Sequence, residues 1–130
     1  MKFLTSEEIL LIHHQLIERY GGLHGTRDLS RIESVSLAPS QYAFGEEQYK
    51  TIFDKAAVYA RSIITDHPFN DGNKRTGITA SAMFLAKNGH HLRAKKGEVE
   101  DFAVKIAINK LSIIDIAVWL KRHSNKSKKS

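Results

Sequence analysis

The chain of 130 residues has no cysteine, only two prolines and few aromatics. Without a thiol there is no disulfide framework, no thiolate nucleophile and no cysteine-ligated zinc. Long apolar runs are missing too. The longest are Ile9 to Ile12, Ala82 to Ala86 and Ile116 to Leu120, whereas a membrane-spanning helix needs about 20 apolar residues. No stretch alternates as a strand does, and no internal repeat occurs. Glu7 and Glu8 arrive before a signal-peptide hydrophobic region could form. With 42% apolar and 26% charged residues, the composition is that of one globular domain, expected to be soluble and cytoplasmic.

Acidic residues are absent from the last ten positions. Of the 20 lysines and arginines, Lys121, Arg122, Lys126, Lys128 and Lys129 lie there, leaving 15 basic against 14 acidic side chains in residues 1–120. The net charge of +6 is therefore concentrated at one end. The sequence predicts a domain over 1–120 and a basic, flexible tail over 121–130, which is solvated or touches an acidic partner. The nearly neutral body argues against direct binding of nucleic acid; a binding module that uses the tail is the alternative.

What is there reads as helix. Thr5-Ser6-Glu7-Glu8 is a capping box, followed by Ile9, Ile12, Leu16, Ile17 and Tyr20 at helical spacing and a stop at Gly21-Gly22. A second helix is predicted over Asp28 to Ala38, with Leu29, Ile32 and Val35 on one side and an end before Pro39. A third covers Gln48 to Thr65. The fourth, Asn73 to Asn88, has no charge from Ile78 to Ala86 and is therefore expected at the centre of the others. Glu98 to Asn109 and Ser112 to Lys121 complete six, the last expected to bury Ile114, Ala117, Val118 and Trp119. The fold class is all-α, a compact bundle of about six helices around a buried central helix, 73–88.

Several catalytic motifs are missing, among them Gly-x-Ser-x-Gly, His-Glu-x-x-His and Gly-x-Gly-x-x-Gly. Residues 72–79 approach a Walker A loop, but Ile78 stands where the lysine belongs. The pairs His13-His14 and His90-His91 point about 100° apart on a helix and make no metal face alone.

One polar stretch leads straight into the charge-free helix: His67-Pro68-Phe69-Asn70-Asp71-Gly72-Asn73-Lys74-Arg75. Pro68 forces His67 out of the preceding helix. Gly72 permits a turn with positive φ. The first amides of the next helix, at Gly72, Asn73 and Lys74, have no intrahelical partner and sit at the positive end of its dipole. Such a terminus binds anions, phosphate above all, and Lys74 with Arg75 adds two cations there. Asp71 offers an oxygen ligand suited to Mg²⁺, and His67 can accept a hydroxyl proton near neutral pH. Phe69 reads as the anchor of the loop in the core. The pattern fits phosphoryl or nucleotidyl transfer; a plain helix start capped by Asp71, with His67 merely solvated, is the structural alternative.

These residues resemble the signature of the Fic/Doc family, His-x-Phe-x-Asp/Glu-Gly/Ala-Asn-x-Arg, which is complete here. Gly21-Gly22, Gly25, Arg27-Asp28-Leu29 and Glu33-Ser34 resemble the N-terminal half of its Doc (death-on-curing) branch, so that the likeness covers nearly all of the folded body. The resemblance implies catalytic roles for His67, Asp71, Lys74 and Arg75. His67 is the implied base and Asp71 the implied Mg²⁺ ligand. Asn73 with the Gly72 to Lys74 amides is the implied phosphate hole, and Lys74 and Arg75 contact the phosphates of ATP.

The AMP-transferring Fic branch usually has glycine in place of Lys74 and an arginine in place of Ile78. The Doc branch shares the lysine and lacks that arginine, which implies kinase chemistry with ATP and Mg²⁺. Gly72 departs the other way, since the Doc branch has alanine there. The resemblance thus implies a toxin of a toxin–antitoxin module that phosphorylates a Ser/Thr hydroxyl of a translation factor, elongation factor Tu, and blocks translation. Protein adenylylation or a non-catalytic antitoxin-binding module are the alternatives. The inhibitory Ser/Thr-x-x-x-Glu-Gly/Asn helix of many Fic enzymes has no counterpart, because no Glu-Gly or Glu-Asn pair occurs; restraint is then expected from a Phd-like antitoxin. Tyr42 and Phe44 are candidates for the family's target-docking flap, or else pack on the core.

Overall fold

The computed structural model describes residues 1–95 and 97–127. Among them six helices carry the fold: α1 (Ser6–Tyr20), α2 (Leu29–Leu37), α3 (Ile52–Asp66), α4 (Asn73–Lys87), α5 (Glu98–Asn109) and α6 (Ile113–Arg122). Local chemistry sets most of the starts. The Thr5 hydroxyl accepts from the Glu8 amide at 3.1 Å while the Glu8 carboxylate accepts from the Thr5 amide at 3.0 Å, closing the expected capping box. Thr51 and Ser112 cap α3 and α6 in the same way, each accepting from the amide three residues on. The α3 start differs from the expected Gln48 because the Gln48 amide donates to the Gln41 carbonyl at 2.9 Å. That bond closes a hairpin of β1 (Tyr42–Ala43) and β2 (Glu46–Glu47), paired Tyr42↔Glu47 and Ala43↔Glu46.

α2 ends at Leu37, before Pro39 as expected; Ala38 keeps helical dihedrals (φ −55°, ψ −42°) and enters a 3₁₀ turn, Ala38–Ser40, whose first positions need no amide donor. Two further expectations are corrected. In α6 the buried side is Ile116, Ala117 and Leu120, while Ile114 and Val118 face solvent. Trp119 is half-buried, stacked 4.0 Å from Phe102 and 3.9 Å from His123. Leu29 is exposed on α2, where Ile32 and Val35 alone enter the core.

The last residues are ordered further than a tail over 121–130 implies. Lys121 and Arg122 form the final turn of α6, where cations suit the dipole. Residues Ser124–Lys126 then form β4 against β3 (His90–Leu92), and the Ser127 amide donates to the Gly89 carbonyl at 2.6 Å. Lys128 and Lys129 lie outside the described residues.

The core lies between α3 and α4, where the Tyr59 and Phe84 rings meet at 5.1 Å and Ile64 packs over Gly77. Small residues let the two helices approach: the buried Ser81 hydroxyl donates to the Ala56 carbonyl at 2.8 Å. At Gly77 a Cβ would stand 2.7 Å from Ile64 Cγ1 and 3.0 Å from the Ala60 carbonyl oxygen. Met83, 45% exposed, marks the edge of α4 that the other helices leave open. No described helix is long and apolar enough to cross a membrane.

The α3–α4 contact gives a test of packing against propensity. Alanine at Gly77 gains about 1 kcal/mol of helix propensity, but overpacking against a backbone carbonyl costs about 1–3 kcal/mol. Gly77→Ala is expected to lower the Tm by several degrees in a thermal melt, and an unchanged or raised Tm would show that the helices can part at no cost.

Candidate functional site

The site is built where two glycine-bearing loops meet. At the end of α3, His67 takes the left-handed conformation (φ 49°, ψ 58°) and Pro68 follows, so the chain turns sharply and cannot continue as helix. Phe69 is fully buried and stacks on the His13 ring at 3.8 Å with the planes 5° apart. From the other side comes the segment after α1. The Arg27 amide donates to the Pro68 carbonyl at 2.8 Å, the Asn70 amide donates to the Gly25 carbonyl at 3.1 Å, and Thr26 bridges Phe69 antiparallel. Gly22 (φ 119°) lies so close that a Cβ would meet Asp71 Oδ2 at 2.7 Å. The first glycine cluster therefore serves as a close-fitting wall for the second loop.

The anchor expected of Phe69 is thus present, and it has two supports that sequence reasoning missed. One is Asn73. Its side chain accepts from the Phe69 amide at 3.1 Å and donates to the Phe69 carbonyl at 3.0 Å, satisfying both backbone groups of a buried residue. The Asn73 side chain is consequently engaged inside the loop, and only its main-chain amide faces outward as an anion donor. The second support is His13, expected to be an ordinary histidine. It is buried, and its Nε2–H donates to the Asp71 carbonyl at 2.8 Å. The Ile9/Ile12/Ile17 pattern of α1 puts His13 on the same buried side, and that phase was the available signal.

Burial holds the His13 pKa below its ordinary 6.5, against the pull of the bond to Asp71. The unfolded chain therefore takes up this proton first, and the contribution of His13 to stability, full above about pH 6.5, is lost as pH falls through the lowered value. His13→Phe keeps a ring on Phe69 but removes the titration and the bond. The variant is expected to melt below the wild type at pH 7.5, with the gap narrowing as the buffer is acidified; a gap that widens would contradict the assignment.

Asp71 does not cap α4. The N-cap is Gly72 (φ 77°, ψ 18°), which has no side chain to accept from the first turn. Asp71 Oδ1 accepts from the Gly72 amide at 2.9 Å and Oδ2 from the Leu23 amide at 3.1 Å. These bonds, Leu23 first, hold its pKa below the usual carboxylate range, so it is anionic at neutral pH. A carboxylate can accept about four bonds, and half of that capacity is left for a cation. The amides of Asn73, Lys74 and Arg75 have no acceptor among the described residues, as the first turn of an uncapped helix requires.

These groups share one cleft of about 280 Å³, lined by residues 71–75 together with Ile78, Glu100, Ala103 and Val104. Lys74 and Arg75 are exposed at its mouth. Arg75 lies 4.3 Å above the Tyr20 ring, so Tyr20, expected in the apolar stripe of α1, instead carries a guanidinium by cation–π attraction. Glu100 is a second carboxylate on the cleft that sequence reasoning did not name. Anionic Asp71 beside open amides and two cations fits a magnesium-bound polyphosphate.

His67 is exposed, and its ring has no hydrogen-bond partner among the described residues. It opens on two other clefts rather than the one lined by Asp71 to Arg75. The short Pro68–Asn70 turn thus separates the basic imidazole from the anion cradle. Tyr42 and Phe44 are both exposed on the hairpin, Phe44 at its tip with φ 54° before Gly45 at φ 81°, the sign pattern of a tight two-residue turn. Packing of these rings on the core is thereby overturned. Lys55, buried in α3, ties the hairpin down by pairing with Glu47 at 2.6 Å and donating to the Tyr49 carbonyl.

Comparison with known proteins places this geometry in context. Residues 3–85 match the Fic/DOC family. The chain is 32% identical over 122 residues to the protein named "Protein kinase doc" of Escherichia phage P1, covering 94% of this chain and 95% of that protein. It is also 31% identical over 103 residues to "Toxin Doc" of Mycolicibacterium smegmatis, covering 78% of this chain and 79% of the relative.

Proposed function

The chain belongs to the Fic/DOC family, and from that premise we propose that it is the toxin of a toxin–antitoxin module and transfers the γ-phosphate of ATP to a Ser/Thr hydroxyl of a translation factor. The observation that carries this reading is the uncapped start of α4, which puts free amides, Lys74, Arg75 and the anionic Asp71 on one cleft, with the unbonded His67 imidazole on the far side of the Pro68–Asn70 turn. The relatives named as a toxin and as a protein kinase support the toxin reading and the choice of a transferase.

Mg²⁺ and ATP, when bound, supply the electrophilic phosphoryl group. The chain's own residues do the rest. The Asn73 and Lys74 amides with the Lys74 and Arg75 side chains hold phosphate oxygens and offset the charge that gathers on them. Asp71 holds the metal, its carboxylate aimed by Leu23 and Gly72. His67 Nδ1 or Nε2 takes the proton of the acceptor hydroxyl as its oxygen bonds to the γ-phosphorus, while the bond from that phosphorus to the β–γ bridging oxygen breaks and ADP leaves; the ring is exposed and has no other partner among the described residues. Ile78, on the cleft wall, leaves no second arginine for the phosphates, which favours γ-phosphate over AMP transfer. Elongation factor Tu is the proposed target, the exposed Tyr42–Phe44 hairpin its docking flap, a Phd-like antitoxin the restraint, and the cytoplasm the site of action.

The test supplies a bacterial lysate with ATP labelled at either the α or the γ position. Protein-bound γ label, absent in the His67→Ala variant, is the expected result. Protein-bound α label would replace the kinase reading with adenylylation. Toxicity is checked separately, as growth arrest on induction that co-expressed antitoxin relieves.

A further inference from the structure

His67 stands where two clefts meet. One, of about 560 Å³, is lined by Arg27, Arg31, Ser34, Thr65, Asp66 and His67. The other, of about 350 Å³, is lined by Arg61, Ile64, Thr65, His67, Ala107 and Lys110. Four cations thus surround the imidazole and Asp66 is the one acid on either lining. In a body with 15 basic and 14 acidic residues up to position 120, this is segregation of charge rather than a generally basic surface.

Two of the four are engaged internally. Arg31 donates to the Asp66 carbonyl at 2.8 Å and lies 3.8 Å from Asp28, and Arg61 donates to the Leu111 carbonyl at 3.2 Å. Arg27 and Lys110 have no carboxylate within 4 Å among the described residues. Arg27 is also fixed to the base: its amide donates to the Pro68 carbonyl, one residue from His67. The main chain of Arg27 is therefore held in register with the turn that carries the imidazole.

We propose that this basic face binds an acidic stretch of the acceptor protein, flanking the hydroxyl presented to His67. The assignment of an acceptor protein rests on the function proposed above; the anionic specificity of the face rests on the structure alone. Ile64 and Ala107 give the second cleft an apolar floor, which suits the side chain of a peptide, and Asp66 on the first cleft opposes an unbroken phosphodiester chain. Charges at the rim of an interface act mostly on encounter and on rejection of wrong partners, so the face selects among hydroxyls that His67 could otherwise deprotonate.

The experiment uses the full chain and an Arg27→Glu/Lys110→Glu variant, with the neutral Arg27→Gln/Lys110→Gln variant as a milder change. Unchanged Tm and an unchanged rise in Tm with Mg²⁺ and ATP establish that the fold and the α4 cleft are intact. A fluorescein-labelled Glu-rich peptide is titrated by anisotropy. The wild type is expected to bind it about tenfold more tightly than the Glu variant, with the Gln variant between, and to lose affinity from about 50 to about 300 mM KCl. In the γ-label lysate assay the Glu variant is expected to need about tenfold more lysate for half-maximal labelling. Equal peptide binding by wild type and Glu variant at every salt concentration overturns the proposal, as does competition by tRNA but not by polyglutamate. Peptide binding lost in the variant, with no label transferred even by the wild type, upholds the anion-binding face and brings down the kinase reading instead.

Discussion

His67→Ala is expected to lower phosphoryl transfer by about 10²–10⁴-fold, the usual worth of a general base, while the melting temperature and ATP binding stay close to wild type. The asymmetry follows from where the ring sits. It is exposed, bonds to nothing among the described residues and lies off the cleft of Asp71 to Arg75, so its removal takes away a proton acceptor without opening the core or the anion cradle. The backbone at φ 49° suits alanine somewhat less than histidine, and asparagine, which tolerates that region well, provides a control in which the turn is kept and the base is still absent. Single-turnover transfer with labelled ATP, read beside a thermal melt, decides the matter. A variant that keeps full transfer would remove His67 from the chemistry, and one that loses transfer together with 10 °C or so of Tm would make it a structural residue.

The shape of the loop around His67 could be read from nine consecutive residues because its determinants are local: a proline ends one helix, a glycine opens the next, and the charges follow within two positions. The Thr5–Glu8 box and the limits of α5 were readable for the same reason. What escaped depends on partners far along the chain. His13 meets Asp71 across 58 residues, β3 finds β4 more than thirty residues on, and neither strand alternates over enough residues to announce itself. In α6 the failure was one of phase. Ile113, Ile114, Ile116, Ala117, Val118, Trp119 and Leu120 are nearly all apolar, so no stripe stands out, and only the packing on α3 selects Ile116 and Leu120. Gly21, Gly22 and Gly25 were legible as a family likeness, yet the wall that Gly22 makes against Asp71 and Gly25 against Asn70 needs the folded contact.

Asp71→Asn is expected to cost at least about 10²-fold in transfer and to weaken magnesium-dependent ATP binding, with little change in Tm. The carboxylate does two jobs that an amide cannot combine. Its oxygens accept from the Leu23 and Gly72 amides at 3.1 and 2.9 Å, and those bonds keep it anionic and aimed at the cleft. In the asparagine variant either orientation turns an N–H₂ group towards one of the two amide donors. That contact breaks, and the negative charge offered to the metal disappears with it. The main-chain carbonyl of residue 71 still accepts from His13, and Phe69 remains held by Asn73, so the loop keeps its seat in the core while losing its ligand. Titrating Mg²⁺ separates the two consequences. A metal ligand requires that the variant need far more Mg²⁺ for residual transfer than the wild type does. If the Mg²⁺ dependence is unchanged and only the rate falls, Asp71 merely supports the Gly22–Leu23 wall, and Glu100, the other carboxylate on the cleft, becomes the residue to replace next.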